Sequence, residues 1–157
     1  MKIRNVVGTI ALCILALAFS FGQNANLGTW KLNEAKSQIP AGVGKNTAVV
    51  YSNTGSDYRV TTEGVDAAGK PTHTEWTGLF DGKPHPLTGD PNADWRAYKL
   101  KNDRLLLIAN MKGNETVSNG KSQLAKDGKT RTLDMNFFTF EGKKKKKTSA
   151  KYVYEKQ

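Results

Sequence analysis

The sequence predicts an all-β fold, a single antiparallel up-and-down β-barrel of about eight or nine strands. Three observations point there. Turn-forming residues recur at near-regular spacing: Asn53-Thr54-Gly55-Ser56, Asp66-Ala67-Ala68-Gly69, Asp81-Gly82, Gly89-Asp90-Pro91-Asn92, Asn102-Asp103, Gly113-Asn114, Asp127-Gly128 and Glu141-Gly142. Gly, Asn and Asp tolerate the positive φ that tight hairpins demand. The runs between them have strand length and are rich in Thr, Val, Tyr, Trp and Phe. Two runs also alternate with period two. Tyr58, Val60 and Thr62 share a face against Arg59, Thr61 and Glu63, and Thr148, Ala150, Tyr152 and Tyr154 share one against Lys147, Ser149, Lys151 and Glu155.

The chain begins with a leader. Lys2 and Arg4 precede a run from Val6 to Phe21 that has no charged side chain, the layout of a secretory n-region and h-region. The run ends in Phe21-Gly22-Gln23-Asn24 without a basic flank, so a signal peptide over 1–22 is expected rather than a membrane anchor. Ala18/Ser20 and Gln23/Ala25 are alternative cleavage positions. Export to the periplasm or beyond follows, with residues 23–157 forming the domain and no transmembrane span left in the mature chain. The single cysteine, Cys13, lies inside the leader after Leu12, which disfavours lipidation. The exported domain then has no disulfide and no thiol nucleophile.

Within the domain, Gly28-Thr29-Trp30 opens the first strand. Residues 33 to 44, with Glu34, Ala35 and Lys36 ahead of Pro40, allow at most a short helical turn. Arg104-Leu105-Leu106-Leu107-Ile108 is apolar on both parities. Leu133, Met135 and Phe137 oppose Asp134 and Asn136, but Phe138 and Phe140 take the other parity, which predicts a bulge or a strand buried on both faces. Sequential hairpins without long crossovers favour closure over a sandwich, because closure removes exposed edges. About eight strands leave an interior that side chains fill or that holds one small ligand.

Gly28-x-Trp30 resembles the lipocalin signature, in which the Trp closes one end of the barrel. Over nearly the whole domain the chain also resembles an uncharacterised group of small exported lipocalin-like (calycin-type) proteins of acidobacteria and other soil bacteria. That resemblance runs through Gly28-Thr29-Trp30-Lys31-Leu32-Asn33, Gly69-Lys70-Pro71-Thr72-His73, Asp81-Gly82-Lys83, Thr88-Gly89-Asp90-Pro91-Asn92-Ala93-Asp94 and Tyr154-Glu155-Lys156. It implies a lipocalin-like fold and no particular activity.

Lys and Arg outnumber Asp and Glu by 24 to 14. For an exported chain this turns attention from nucleic acid to anionic lipid or polysaccharide, or to solubility alone. Lys143, Lys144, Lys145, Lys146 and Lys147 concentrate the charge after the Glu141-Gly142 turn. Alternate lysines of a strand starting there would enter the barrel, so the run is expected as a protruding hairpin end or frayed strand start, a candidate contact for an anionic surface.

Asp90, Asn92 and Asp94 imitate the opening of a calcium loop. Trp95 and Lys101 then occupy the positions that need Gly and Glu, so an Asx turn is the better reading and no metal or cofactor is assigned. His73 and Glu75 fall on one side of one strand, without a third ligand. His85 stands between Pro84 and Pro86. No nucleophile elbow, phosphate loop or zincin motif occurs.

The leading expectation is therefore a non-enzymatic exported barrel whose interior takes a small lipophilic or amphiphilic molecule. Trp30, Tyr58, Trp76, Tyr98, Tyr152 and Tyr154 are the expected lining. The alternatives are an envelope-interaction module working through its basic surface and a small hydrolase.

Overall fold

The computed structural model describes residues 24–142 and 144–157. Residues 1–23, where the leader is expected and Cys13 falls, and Lys143 lie outside the described residues. Ten strands follow one another: β1 Gly28–Leu32, β2 Lys45–Thr54, β3 Asp57–Val65, β4 Pro71–Gly78, β5 Asp81–Thr88, β6 Trp95–Asn102, β7 Leu105–Lys112, β8 Glu115–Leu124, β9 Thr130–Glu141 and β10 Lys144–Lys156. Each pairs antiparallel with its neighbours in sequence, and β1 also pairs with β10, which closes the barrel.

The count exceeds the expected eight or nine because β1 and β2 are joined by a connection without a tight-turn motif. Its one regular piece is the 3-10 turn Glu34–Lys36, where the Asn33 side chain caps the Lys36 amide. At the other connections the predicted turns mostly mark the chain reversals. Gly55, at φ 65°, starts the two-residue link between β2 and β3, a conformation glycine adopts without strain. Asp81-Gly82 is an exception: the chain reverses at Leu79 and Phe80, and Asp81 opens β5 with its carboxylate accepting from the Lys83 amide.

Alternation holds in the two runs that showed it. Val60 and Thr62 are buried between exposed Arg59 and Glu63, and Ala150, Tyr152 and Tyr154 are buried opposite exposed Ser149 and Lys151 and half-buried Glu155, although Val153 on that other parity is buried too. The bulge expected in β9 is absent. Its register with β10 runs unbroken from Thr130 to Glu141, and Phe138 and Phe140 take the outer parity, where the Lys145 ammonium lies 3.8 and 5.7 Å from their ring centroids. An aromatic ring on the outer wall is tolerable when an alkyl-ammonium side chain covers it.

Trp30 is 0% exposed and forms the floor at one end of the barrel. Its indole N–H donates to the Asn26 carbonyl at 3.0 Å. The Arg131 guanidinium from β9 lies 4.6 Å from the Trp30 ring and 4.6 Å from the Tyr51 ring. Above this layer Tyr58, Trp76 and Phe80 pack together, with Phe80 stacked at 4.1 Å on Tyr58 and 6.1 Å on Trp76. The wall is thinnest between β4 and β5, whose ladder has only the pairs Glu75↔Thr88 and Trp76↔Leu87. There the His85 ring lies edge-on to Trp76 at 5.7 Å.

Trp30→Ala removes the floor and its contact with Arg131, and the expected cost is about 3–5 kcal/mol. Trp95→Ala, at an outer-wall side chain 41% exposed, should change stability by less than about 0.5 kcal/mol. Urea unfolding of the two variants beside the parent checks the contrast.

Candidate functional site

The strands carry their bulk at the Trp30 end and smaller side chains at the other. Thr62 on β3, Thr74 on β4 and Ser118 on β8 all face inward, where an aromatic residue would fill the lumen. A cavity of about 530 Å³ results, within the size range of small-molecule sites. It opens where β2, β4, β6, β8 and β10 begin, with the segments Gly42–Asn46, Val65–Ala67 and Gly89–Ala93 at its rim. Apolar walls come from Val49, Ile108, Val117, Leu133, Met135 and Phe137. A larger depression of about 650 Å³ between Gln38, Pro40 and the outer face of β9 and β10 is an open surface groove.

Of the six aromatic residues expected to line the interior, Tyr98, Tyr152 and Tyr154 border the cavity. Trp30, Tyr58 and Trp76 belong instead to the packed layers beneath it. The Tyr152 hydroxyl donates to the Gly44 carbonyl at 2.9 Å, and that of Tyr154 to the Asn46 carbonyl at 3.1 Å. Asn46 stands where the β2–β3 register shifts. Burial pushes the Tyr152 phenol up to about 12, and pushes Tyr98 and Tyr154 higher still. All three are therefore neutral hydroxyls near neutral pH.

A polar ladder crosses three strands of the same interior. The registers Arg96↔Asn110 and Asn110↔Ser118 set the side chains adjacent. Arg96 Nε donates to Asn110 Oδ1 at 2.6 Å, and Asn110 Nδ2 donates to Ser118 Oγ at 2.7 Å. Arg96 Nη1 reaches the Tyr98 hydroxyl at 3.4 Å. Opposite, the Thr62 and Thr74 hydroxyls bond each other at 2.8 Å. Trp76 steadies the ladder from below, its indole N–H donating to the Arg96 carbonyl at 2.8 Å.

Arg96 and Asn110 escaped the sequence reading, although the signal was present. Placing Tyr98 inside a strand of period two places Arg96 inside as well. The same parity puts Arg131 with Leu133 and Met135.

The remaining candidates are dispersed. Asp90 caps its own loop by accepting from the Asn92 amide at 2.9 Å, while Asp94 turns away to Lys112 Nζ at 2.8 Å and the Gly113 amide at 3.2 Å. Their oxygens do not converge on one point. Lys144 to Lys147 are paired within the β9–β10 hairpin yet fully exposed, so the hairpin end projects past the wall. His85 packs at the β4–β5 seam, away from His73.

His73 lies on the outer face with Glu75, as expected, and β3 brings Glu63 to its other side. His73 Nδ1 bonds Glu63, and its Nε2 lies 3.1 Å from Glu75, which Arg59 also holds at 2.6 Å. Among the described residues no group of three His, Cys, Asp or Glu side chains is arranged to hold a metal, and no helix is long and apolar enough to cross a membrane.

With this geometry described, comparison with known proteins adds the architecture. No protein-family model matches the chain, and no curated protein matches it. Among solved structures it is similar to EF1p2_mFAP2b bound to DFHBI, at 10% identity and a TM-score of 0.50, over 85% of this chain and 94% of that one. At that identity the likeness shows a common closed β-barrel fold and nothing finer.

The hydrogen bonds to Glu63 and then Glu75 raise the His73 pKa above its ordinary value. A raised folded-state pKa means the clasp adds stability below the ordinary histidine range and loses it as pH rises through the shifted value. Glu75 is lowered by His73 and Arg59, so its share is lost only as pH falls through the lowered carboxylate value. Histidine resonances followed by NMR should titrate above 6.5 for His73, and Glu63→Gln should bring that midpoint down.

Proposed function

We propose that this protein is an exported, non-enzymatic barrel that binds a small lipophilic or amphiphilic molecule in its interior. The observation carrying this reading is the cavity of about 530 Å³ between a packed aromatic floor and an open rim. Its walls are mostly apolar, with polar groups at the Arg96–Asn110–Ser118 ladder and the Thr62–Thr74 pair, the composition of a small-molecule site. Several hydroxyls bordering it are already engaged: Thr62 with Thr74, Tyr152 and Tyr154 with main-chain carbonyls, and Ser118 and Tyr98 with Asn110 and Arg96. Hydroxyls so engaged suit binding better than nucleophilic chemistry. A chain of like architecture, EF1p2_mFAP2b, has been solved bound to a ligand, DFHBI. The charged start and apolar run of residues 1–22 support export.

The test is titration of the purified domain with a homologous set of fatty alcohols, read by tryptophan fluorescence and native mass spectrometry. Saturable one-to-one binding is expected. Ile108→Trp, which enlarges a cavity wall residue, should weaken it at least about tenfold, or about 1.4 kcal/mol, without unfolding the barrel. No binding by the parent would remove the proposal.

A second reading rests on a different observation. The exposed lysines Lys144 to Lys147 project from the end at which the cavity opens, beside Phe140, which is 43% exposed. Cations flanking an apolar ring suit an anionic lipid surface. On this reading the barrel docks by its rim. Sedimentation with phosphatidylglycerol vesicles should fall steeply as salt rises and be lost when Lys144 to Lys147 become Gln. Interior binding of an uncharged alcohol should notice neither change.

A further inference from the structure

Among the described residues the interior contains two guanidinium groups and no acid. Buried polar side chains are Asn26, Thr62, Thr74, Arg96, Asn110, Ser118, Ser122 and Arg131, and among the described residues neither arginine forms an ion pair. Burying a cation without an anion is expensive, so each arginine needs its own explanation.

Arg131 has one in the fold. Two aromatic faces enclose it, and its Nη atoms donate to Ser122 Oγ at 3.1 Å and Asn26 Oδ1 at 2.8 Å, while its buried Nε has no hydrogen-bond partner among the described residues. Arg96 does not. It is 6% exposed, it borders the cavity, and its Nη2 makes no hydrogen bond among the described residues. The carboxylates on the cavity's border, Asp66 and Asp90, are at its rim and accept from amides of their own turns. The neighbouring phenols are held neutral by burial. Asn110 and Tyr98 meanwhile fix the guanidinium, leaving one edge of a rigid fork toward the lumen.

We propose that the ligand carries an anionic head group on an apolar body, and that Arg96, oriented by Asn110 and Tyr98, binds that head inside the barrel. This rests on the interior being the binding site. The head supplies the missing counter-charge, and the apolar body lies against Ile108, Leu133 and Met135. A carboxylate suits the planar fork, and a sulfate or phosphate monoester offers the same oxygens.

Decanoate, decanol and decyltrimethylammonium share one chain length and differ in head charge. The protein is titrated with each at high ionic strength, where attraction to the basic outer surface is screened. Decanoate should bind about tenfold or more tightly than decanol, and the ammonium should not bind. Arg96→Met should bring decanoate to the level of decanol. Arg96→Lys keeps the charge without the fork, and should weaken decanoate several-fold while leaving decanol unchanged.

Equal affinity of the parent for decanoate and decanol would overturn the anionic head and leave the cavity reading standing, whereas binding of neither would overturn both. A full preference for decanoate in either folded variant would overturn the assignment to Arg96. Decyl sulfate and decyl phosphate as further arms identify which oxyanion fits best.

Discussion

Everything in this molecule depends on a strand of five residues being held from both sides. Through the register pairs Trp30↔Lys156 and Trp30↔Val49, one residue of β1 stands in the ladders to β10 and to β2. Every other ladder joins strands adjacent in sequence. The β1–β10 ladder joins the two ends of the domain and carries the largest loop-closure entropy. Its backbone pairing is short, so side chains must make up the difference. Trp30 does this by placing its ring beneath the barrel, where Arg131 of β9 is held between it and Tyr51 of β2. A planar cation between two rings fastens β1 and β2 to β9, a strand with which neither shares a ladder. Closure and the packing of the floor are thus one interaction.

Given that floor, side-chain size along the barrel axis decides whether there is a lumen. Trp30, Trp76 and Phe80 fill the closed half, aided by Phe80 folding back from the β4–β5 reversal to stack on Tyr58. Toward the mouth the inward positions are Thr62, Thr74 and Ser118, too small to meet across the barrel. The same backbone therefore has a solid half and a hollow half. Tyr152 and Tyr154 mark the transition. Their rings border the cavity while their hydroxyls bind carbonyls of the segment leading into β2 and of its bulged start. The bulge, which frees backbone acceptors, and the tyrosines, which need a buried acceptor, answer each other.

How much of this the sequence revealed follows from what period two encodes. Alternation reports which face a residue takes, and Tyr58, Val60, Thr62, Tyr152 and Tyr154 were assigned inward correctly on that basis. It says nothing about height along the axis. Height is set by the register of each strand against its neighbours, which alternation does not report, and by it Trp30, Tyr58 and Trp76 belong to the floor while Tyr98 reaches the cavity. The strand β1 was recognised, but the join to β2 lacks a tight-turn motif and left the strand count short. Phe138 and Phe140 suggested a bulge because an outward aromatic pair looks like an error of parity until Lys145 is seen to cover it. Arg96 and Arg131 were passed over for a different reason. In a chain with 24 lysines and arginines, cations read as surface charge, although in a strand of period two an inward Tyr98 carries Arg96 inward with it.

The two buried arginines also separate what folding needs from what it does not. Arg131 links strands that would otherwise part, so its burial is offset inside the folded chain. Arg96 links only Asn110 and Tyr98, on its own strand and the next, which the β6–β7 ladder already holds together. Apolar residues of similar volume often replace such buried ionic groups with no loss of stability or even a gain. A cation that folding does not require, kept at the wall of a cavity, has a physical rationale only in something that enters the cavity. Sites of function are where a sequence departs from the choices that would best stabilise it, and in the Arg96–Asn110–Ser118 ladder that departure, a buried cation without an ion pair among the described residues, occurs beside open volume.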